Sequence, residues 1–372
     1  MTVAPRPDSA QPRIYERPGA ATETPAPRDL RSELNAEQAA AATFGTGALL
    51  IIAGAGTGKT RTLTYRVAHL LNEGVPPDRI LLLTFTRRSA QEMLSRVERL
   101  VGNASRQVHG GTFHATGHRL LRRFGGAAGV AADFSIMDQS DAEDLMQLSR
   151  ASLAFADAKK KRFPKKETLH YIYSRHVNTG IPIEEMLRKE YPLFLDYTQQ
   201  IRDIFADYTT RKAARNLVDY DDLLLFWLAM LEESESLGAK IAGLYDYILV
   251  DEYQDTNVLQ ARVLRAMCRG HTNISVVGDD AQSIYSFRGA SFRNILDFPR
   301  AFDGTTLIAL EENYRSTQPI LDATNTLISR AEERFTKNLW TKREGGERPW
   351  LVSVQDEQQQ TKFVVERILE LH

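Results

Sequence analysis

The sequence holds 372 residues, 42% of them hydrophobic, and balances 47 Lys+Arg against 48 Asp+Glu. That size and apolar content give two or three domains with ordinary cores, while a net charge of -1 excludes a uniformly basic surface, so any nucleic-acid site has to be a local groove. A single cysteine, Cys268, excludes an internal disulfide framework and a cysteine-rich zinc site; no run approaches the ~18 apolar residues of a membrane span and no apolar signal core is seen, so the cytoplasm is the expected location.

Six of the 14 prolines fall in residues 1–30, among Ala, Thr and Arg, which predicts a disordered tail. From Leu34 the pattern changes. "ALLIIAG" (48–54), "RILLLTF" (79–85), "YILVDE" (247–252) and "NISVVGD" (273–279) read as buried strands, each followed by a helical stretch. Such alternation predicts an α/β fold with a parallel sheet covered on both faces, and ligands beyond the carboxyl ends of its strands.

The first of those ends carries "AGAGTGKT" (53–60), a phosphate-loop pattern in which Ala53 replaces the usual first glycine while Gly56, Gly58, Lys59 and Thr60 fit. A glycine-rich turn lets backbone N–H groups face phosphate oxygens, Lys59 reaches the outer phosphates, and the Thr60 hydroxyl suits magnesium. A plain strand-to-helix turn is the alternative, but the apolar strand before it and the helical "RTLTYRVAHLL" after it favour nucleotide binding.

Residues 125–244 lack strand-like runs and show helical periodicity, as in "SDAEDLMQLSRASLAF", which predicts a helical insertion between sheet strands. Within it, "KKKRFPKK" (159–166) fits a solvated loop and a phosphate-contacting patch equally well. The strand of "ILVDEYQD" (248–255) then ends in two carboxylates. Asp251 at its tip suits magnesium and Glu252 suits activation of a water, so hydrolysis is favoured over transfer to a bound acceptor. "GDDAQSIYSFRGA" (278–290) opens with the vocabulary of phosphate and metal chemistry, Gly278, Asp279, Asp280 and Gln282, and closes with that of base stacking, Tyr285, Phe287 and Arg288.

Seven blocks in order, "LNAEQ" (34–38), "AGAGTGKTR" (53–61), "LTFTRRSAQEM" (83–93), "GTFHATGHRLL" (111–121), "DEYQDTN" (251–257), "VGDDAQSIYSFRGA" (277–290) and "LEENYRST" (310–317), closely resemble the UvrD/Rep/PcrA family of superfamily 1 DNA helicases. Weaker similarity continues through "RFTKNLW" (334–340) to the end. The resemblance implies a RecA-like motor lobe in two parts (31–124 and 245–306), the helical insertion at 125–244, and the incomplete start of a second RecA-like lobe at 307–372.

It further implies a motor that hydrolyses ATP with Mg2+ and walks 3′ to 5′ on single-stranded DNA or at single/double-strand junctions. Ala55, Gly56, Thr57, Gly58, Lys59, Thr60 and Arg61 would hold the phosphates, Gln38 and Tyr314 the adenosine, and Thr60 and Asp251 the metal. Lys59, Glu252, the γ-phosphate sensor Gln282 and the arginine finger Arg315 would carry catalysis. Phe85, Thr86, Thr112, Phe113, His114, Tyr285, Phe287 and Arg288 would grip DNA, although Phe85 and Phe113 also fit core aromatics at strand ends. Phe287 stands where the family commonly has Trp, and Tyr253 where Phe is usual.

The chain ends where a second lobe of this family has only begun, so 307–372 is expected to be held poorly or to pack on the first lobe in a way of its own. Two function classes follow: a helicase motor represented by its N-terminal portion, or a standalone ATP- and DNA-binding module without motor activity. A phosphate-loop enzyme unrelated to nucleic acid is disfavoured by Tyr285, Phe287 and Arg288, and the pathway, repair included, is not encoded in these motifs.

Overall fold

The computed structural model describes residues 30–153, 163–285 and 289–371. Residues 1–29 of the expected tail, 159–162 of the basic run, and Phe287 and Arg288 therefore lie outside the described residues.

Asn35 opens helix α1 (Ala36–Ala42) with a capping box to Gln38, satisfying N–H groups that the first turn leaves without partners. Strand β1 (Leu49–Ala53) runs into the phosphate loop and α2 (Lys59–Asn72). β2 (Ile80–Thr84) leads to α3 (Arg87–Val101), capped by Thr86, and β3 (His109–Thr112) to α4 (Phe113–Phe124), capped by Thr112.

The insertion follows: β4 (Ser135–Ile136), α5 (Gln139–Ser152), α6 (Lys166–Thr179), α7 (Ile183–Glu190), α8 (Thr198–Ala214), β5 (Leu217–Val218), α9 (Tyr220–Glu232) and α10 (Glu235–Ala242). The chain returns to the sheet with β6 (Tyr247–Val250), α11 (Val258–Met267) and β7 (Ile274–Gly278). Two single-turn helices, α12 (Arg293–Leu296) and α13 (Phe298–Ala301), precede β8 (Thr306–Leu310), α14 (Gln318–Ile328) and α15 (Glu357–Leu371).

Six strands form one sheet in the order β3-β2-β6-β7-β1-β8, every pairing parallel. The period-2 geometry of a strand splits β1 between two cores. Leu50 and Ile52 join Phe113, Trp227, Val250 and Val263 on one face; Leu49 and Ile51 join Leu63, Val67, Met93 and Val97 on the other. This is the doubly covered parallel sheet that the alternation predicts. All strand carboxyl ends consequently open on one edge, where the polar loops gather.

The insertion builds a third core from α5 to α8 around Met146, Ile172, Leu187, Ile204 and Tyr208. Its last helices do not belong there: Trp227 and Leu231 of α9 and Ile241 of α10 pack into the sheet's own core. β8 pairs along its length with β1, so residues 307–310 complete the first sheet. Beyond α14 the chain is largely exposed, with Leu351 and Leu369 standing in solvent.

Candidate functional site

Four adjacent strands, β6, β7, β1 and β8, deliver their loops to one cavity of about 710 Å3 whose walls include Gln38, Lys59, Glu252, Gln282, Tyr314 and Arg315. The phosphate loop turns there on two left-handed glycines, Gly56 at φ +84 and Gly58 at φ +88. A Cβ on Gly56 would lie 2.7 Å from the Arg315 Cβ, and one on Gly58 2.7 Å from the Gln38 amide, so backbone conformation and space both demand glycine. Ala53, by contrast, is the buried last residue of an extended strand, where a methyl group costs nothing.

Lys59 donates from Nζ to Glu252 Oε2 at 2.8 Å, and the Thr60 hydroxyl donates to Asp251 Oδ2 at 3.3 Å. Burial first, and the charge of Glu252 second, push the Asp251 carboxyl up to about 6, against the opposing pull of Lys59. Glu252 itself sits in the left-handed region at φ 50, which for a non-glycine residue is a strained conformation of the kind found at functional sites.

From Glu252 a hydrogen-bonded chain runs toward β7. Gln254 donates from Nε2 to Glu252 Oε2 at 2.8 Å and accepts at Oε1 from the Asp279 N–H at 3.0 Å. Asp279 Oδ2 in turn accepts from Gln282 Nε2 at 2.6 Å. On the far wall, Gln38 donates to the Thr57 carbonyl at 2.9 Å, and Asn35 donates to the Tyr314 hydroxyl at 3.0 Å, leaving the Tyr314 ring half exposed. Arg61 lines the cavity too but spends one amine on the Glu33 carbonyl at 2.6 Å.

Asn313 is a residue that motif reading passes over. Its Nδ2 donates to the Ala55 carbonyl at 2.5 Å while its Oδ1 accepts from the N–H groups of Arg315 (2.8 Å) and Ser316 (2.7 Å). It thereby ties the Arg315 turn to the phosphate loop. Its place between two acids and Tyr-Arg in "LEENYRST" is the available signal, and nothing in that spacing distinguishes it from a solvated asparagine.

The residues expected to grip DNA cluster at the other half of the same sheet edge, at the ends of β2 and β3. Phe85 is 40% exposed and its ring stacks on Tyr285, centroids 5.7 Å apart and planes inclined by 28°. Thr86 and Thr112 cap α3 and α4 through their hydroxyls, and His114 lines a second cavity of about 400 Å3 with Arg87, Thr112, His118 and Tyr220. Burial holds the His114 imidazole below its usual pKa. Phe113, at 5% exposure, packs against Trp227 with centroids 6.4 Å apart, the core position that the sequence left open beside a DNA contact.

No group of three or more His, Cys, Asp or Glu side chains suited to a metal occurs among the described residues. A hydroxyl and a carboxylate, Thr60 and Asp251, form instead an oxygen-only pair of the kind a hard cation accepts when substrate phosphates complete its shell. The buried Asp251 carboxyl beside the Thr60 hydroxyl fits that role.

The profile of the UvrD/REP helicase N-terminal domain matches residues 34–303, and that of the UvrD-like helicase C-terminal domain matches residues 308–372. Relatives named ATP-dependent DNA helicase PcrA include those of Staphylococcus epidermidis, 35% identical over 91% of this chain and 46% of its own length, and of Leuconostoc citreum, 35% identical over 92% of this chain and 45% of its own. That of Staphylococcus aureus is 34% identical over 91% of this chain and 46% of its own. The chain thus spans about half the length of the curated relatives it matches. With both profiles lying end to end over almost all of the chain from Leu34 onward, it belongs to the UvrD/REP helicase family.

Proposed function

We propose that this chain is the nucleotide-hydrolysing part of a DNA helicase, coupling Mg-ATP hydrolysis to 3′-to-5′ movement on single-stranded DNA. The observation that supports it most is the convergence of Lys59, Glu252, Gln282 and Arg315 on one cavity, each from a neighbouring strand end.

In this reading the N–H groups of Ala55 to Lys59 and the dipole of α2 receive the phosphates, and Lys59 leaves Glu252 for the outer oxygens. Glu252, freed from that ion pair, orients and deprotonates the attacking water. Arg315 neutralises charge that builds on the γ-phosphoryl group, and Gln282 registers its presence. Gln38 and Tyr314 hold the adenosine. Thr60 and Asp251 hold Mg2+, which supplies charge neutralisation at the phosphates. Phe85 and Tyr285 stack on bases without reading them, a grip suited to a motor that must pass every sequence.

Single-stranded DNA and its junctions with duplex are the proposed partners. No helix among the described residues is long and apolar enough to cross a membrane, and a cytoplasmic site of action belongs to the same proposal. The test is steady-state ATPase activity with magnesium, with and without a single-stranded oligonucleotide, against Lys59→Ala as blank. Stimulation by DNA is the expected result. ATP binding with no turnover in either condition would favour a binding module without motor activity.

A further inference from the structure

The segment from Phe335 to Thr341, to which no role has been given so far, touches three of the loops that build the cavity. Leu339 packs so closely on the phosphate loop that a Cβ on Gly54 would come within 2.7 Å of it. The Trp340 carbonyl accepts from the Asn313 N–H at 2.7 Å, and the Thr341 hydroxyl donates to the Asn313 carbonyl at 2.7 Å, fixing the turn that carries Arg315. At the strap's other end Lys337 enters the loop that follows β7. Its Nζ donates to Asp279 Oδ1 at 2.7 Å and to Asp280, and all three side chains are at most 5% exposed.

A buried ammonium between two buried carboxylates is a costly arrangement, and removing the cation would strand two negative charges. Its geometric effect is specific. Asp279 has one oxygen turned to Lys337 and the other, Oδ2, to the Gln282 amide at 2.6 Å; the Phe335 N–H adds a bond to Asp280 Oδ2 at 2.9 Å. With Nε2 held by a group that only accepts, the orientation of the Gln282 amide is set. The same Asp279 backbone meets Gln254, which meets Glu252, so the lysine stands at the outer end of the chain that reaches the water-activating carboxylate.

We propose that Lys337 is a positioning residue for ATP hydrolysis: through Asp279 it fixes Gln282 against the γ-phosphate, and the strap around it locks the phosphate loop and the Arg315 turn into one assembly. This rests on the reading of the cavity as an ATP-hydrolysing site. Lys337 itself touches no reacting atom, so its removal affects the chemical step and not nucleotide capture by Lys59, Gln38 and Tyr314.

The experiment compares the full chain with Lys337→Met and, as a control for lost stability, Lys212→Met, which removes an equally buried lysine paired with Asp219 and Asp222 in the insertion. In Lys337→Met, kcat falls by about ten- to a hundredfold while KM for ATP holds, the size expected when a reacting group shifts by an ångström or so. Lys337→Arg, which keeps charge and donors, recovers part of the loss. Backbone hydrogen exchange over residues 279–285 rises in Lys337→Met and stays at the parent rate in Lys212→Met. If Lys337→Met does not fold, Lys337→Gln is measured in its place. Unchanged exchange over 279–285, or kcat losses in the two variants that simply track their melting temperatures, would overturn the proposal. A parent chain that does not hydrolyse ATP would count against the hydrolytic reading, while the exchange measurement still decides whether Lys337 holds the loop.

Discussion

Glu252 is both strained in backbone and doubly hydrogen-bonded in side chain, so its carboxylate is aimed before any substrate arrives. Glu252→Gln keeps the shape and deletes the base: turnover should fall by about 10²–10⁴ with ATP affinity largely retained, as measured by nucleotide titration beside the steady-state assay. Retained turnover would remove the residue from its role. Phe85, stacked on Tyr285 but open on its outer side, is the aromatic to test for DNA grip. Phe85→Ala should weaken binding by about 1–3 kcal/mol, and by similar amounts for oligo-dT and mixed-sequence strands. A loss confined to one base composition would argue for sequence readout. Phe85 and Phe113 also show how far residue types alone carry. Both follow a threonine at a strand end, but Thr86 caps α3 one position after Phe85, leaving the ring outside the helix, whereas Thr112 caps α4 one position before Phe113 and turns that ring into the core. The motif is the same, and a shift of the cap decides the face.

At the scale of elements, the start of α9 concentrates charge where water is excluded. Desolvation first, and the charge of Asp219 second, push the Asp221 carboxyl up to about 7, while the Asn178 amide, donating at 2.7 Å, pulls the other way. Asp222 lies beside it and Lys212 bridges Asp219 and Asp222. Since the native chain keeps a proton on Asp221 that the unfolded chain releases near pH 4, this group's contribution to stability is full below that pH and is lost as pH rises toward 7. Asp221→Asn, which copies the protonated form, should melt close to the parent at pH 4 and several degrees higher at pH 8, by scanning calorimetry or circular dichroism. An equal shift at both pH values would mean that Asp221 is not titrating in that window. Among the strands, the buried four were legible as apolar runs. β3 was not, because "HGGT" offers no apolar period, and its place at the sheet edge needs none. β8, half exposed at the opposite edge, hides in the same way.

Taken as a whole, the molecule divides its sheet edge by strand order. β3 and β2 present Phe85, Thr112 and His114, while β6, β7, β1 and β8 present the groups proposed to take the nucleotide, and Tyr285 crosses from the second set to the first. That order is invisible in a linear reading, because neighbours in the sheet are distant in the chain. Cys268, at the end of α11 and 8% exposed, gives a probe of the whole: burial pushes its thiol up to about 12, so alkylation requires opening of the core. Mg-ATP that binds only the native form should slow labelling of Cys268, and Lys59→Ala should abolish that protection. Protection that persists in Lys59→Ala would place nucleotide elsewhere. The position of β1 between β7 and β8 has a consequence for biosynthesis. Its first strand-pairing neighbour is made roughly 225 residues later, about 10–50 s at ordinary rates of synthesis, and until then "LLIIA" is an apolar ribbon with two bare edges leaving the ribosome. The strand that carries the phosphate loop is thus the one with the longest wait for a partner, and the nascent chain is most exposed to aggregation through the segment on which the proposed chemistry depends.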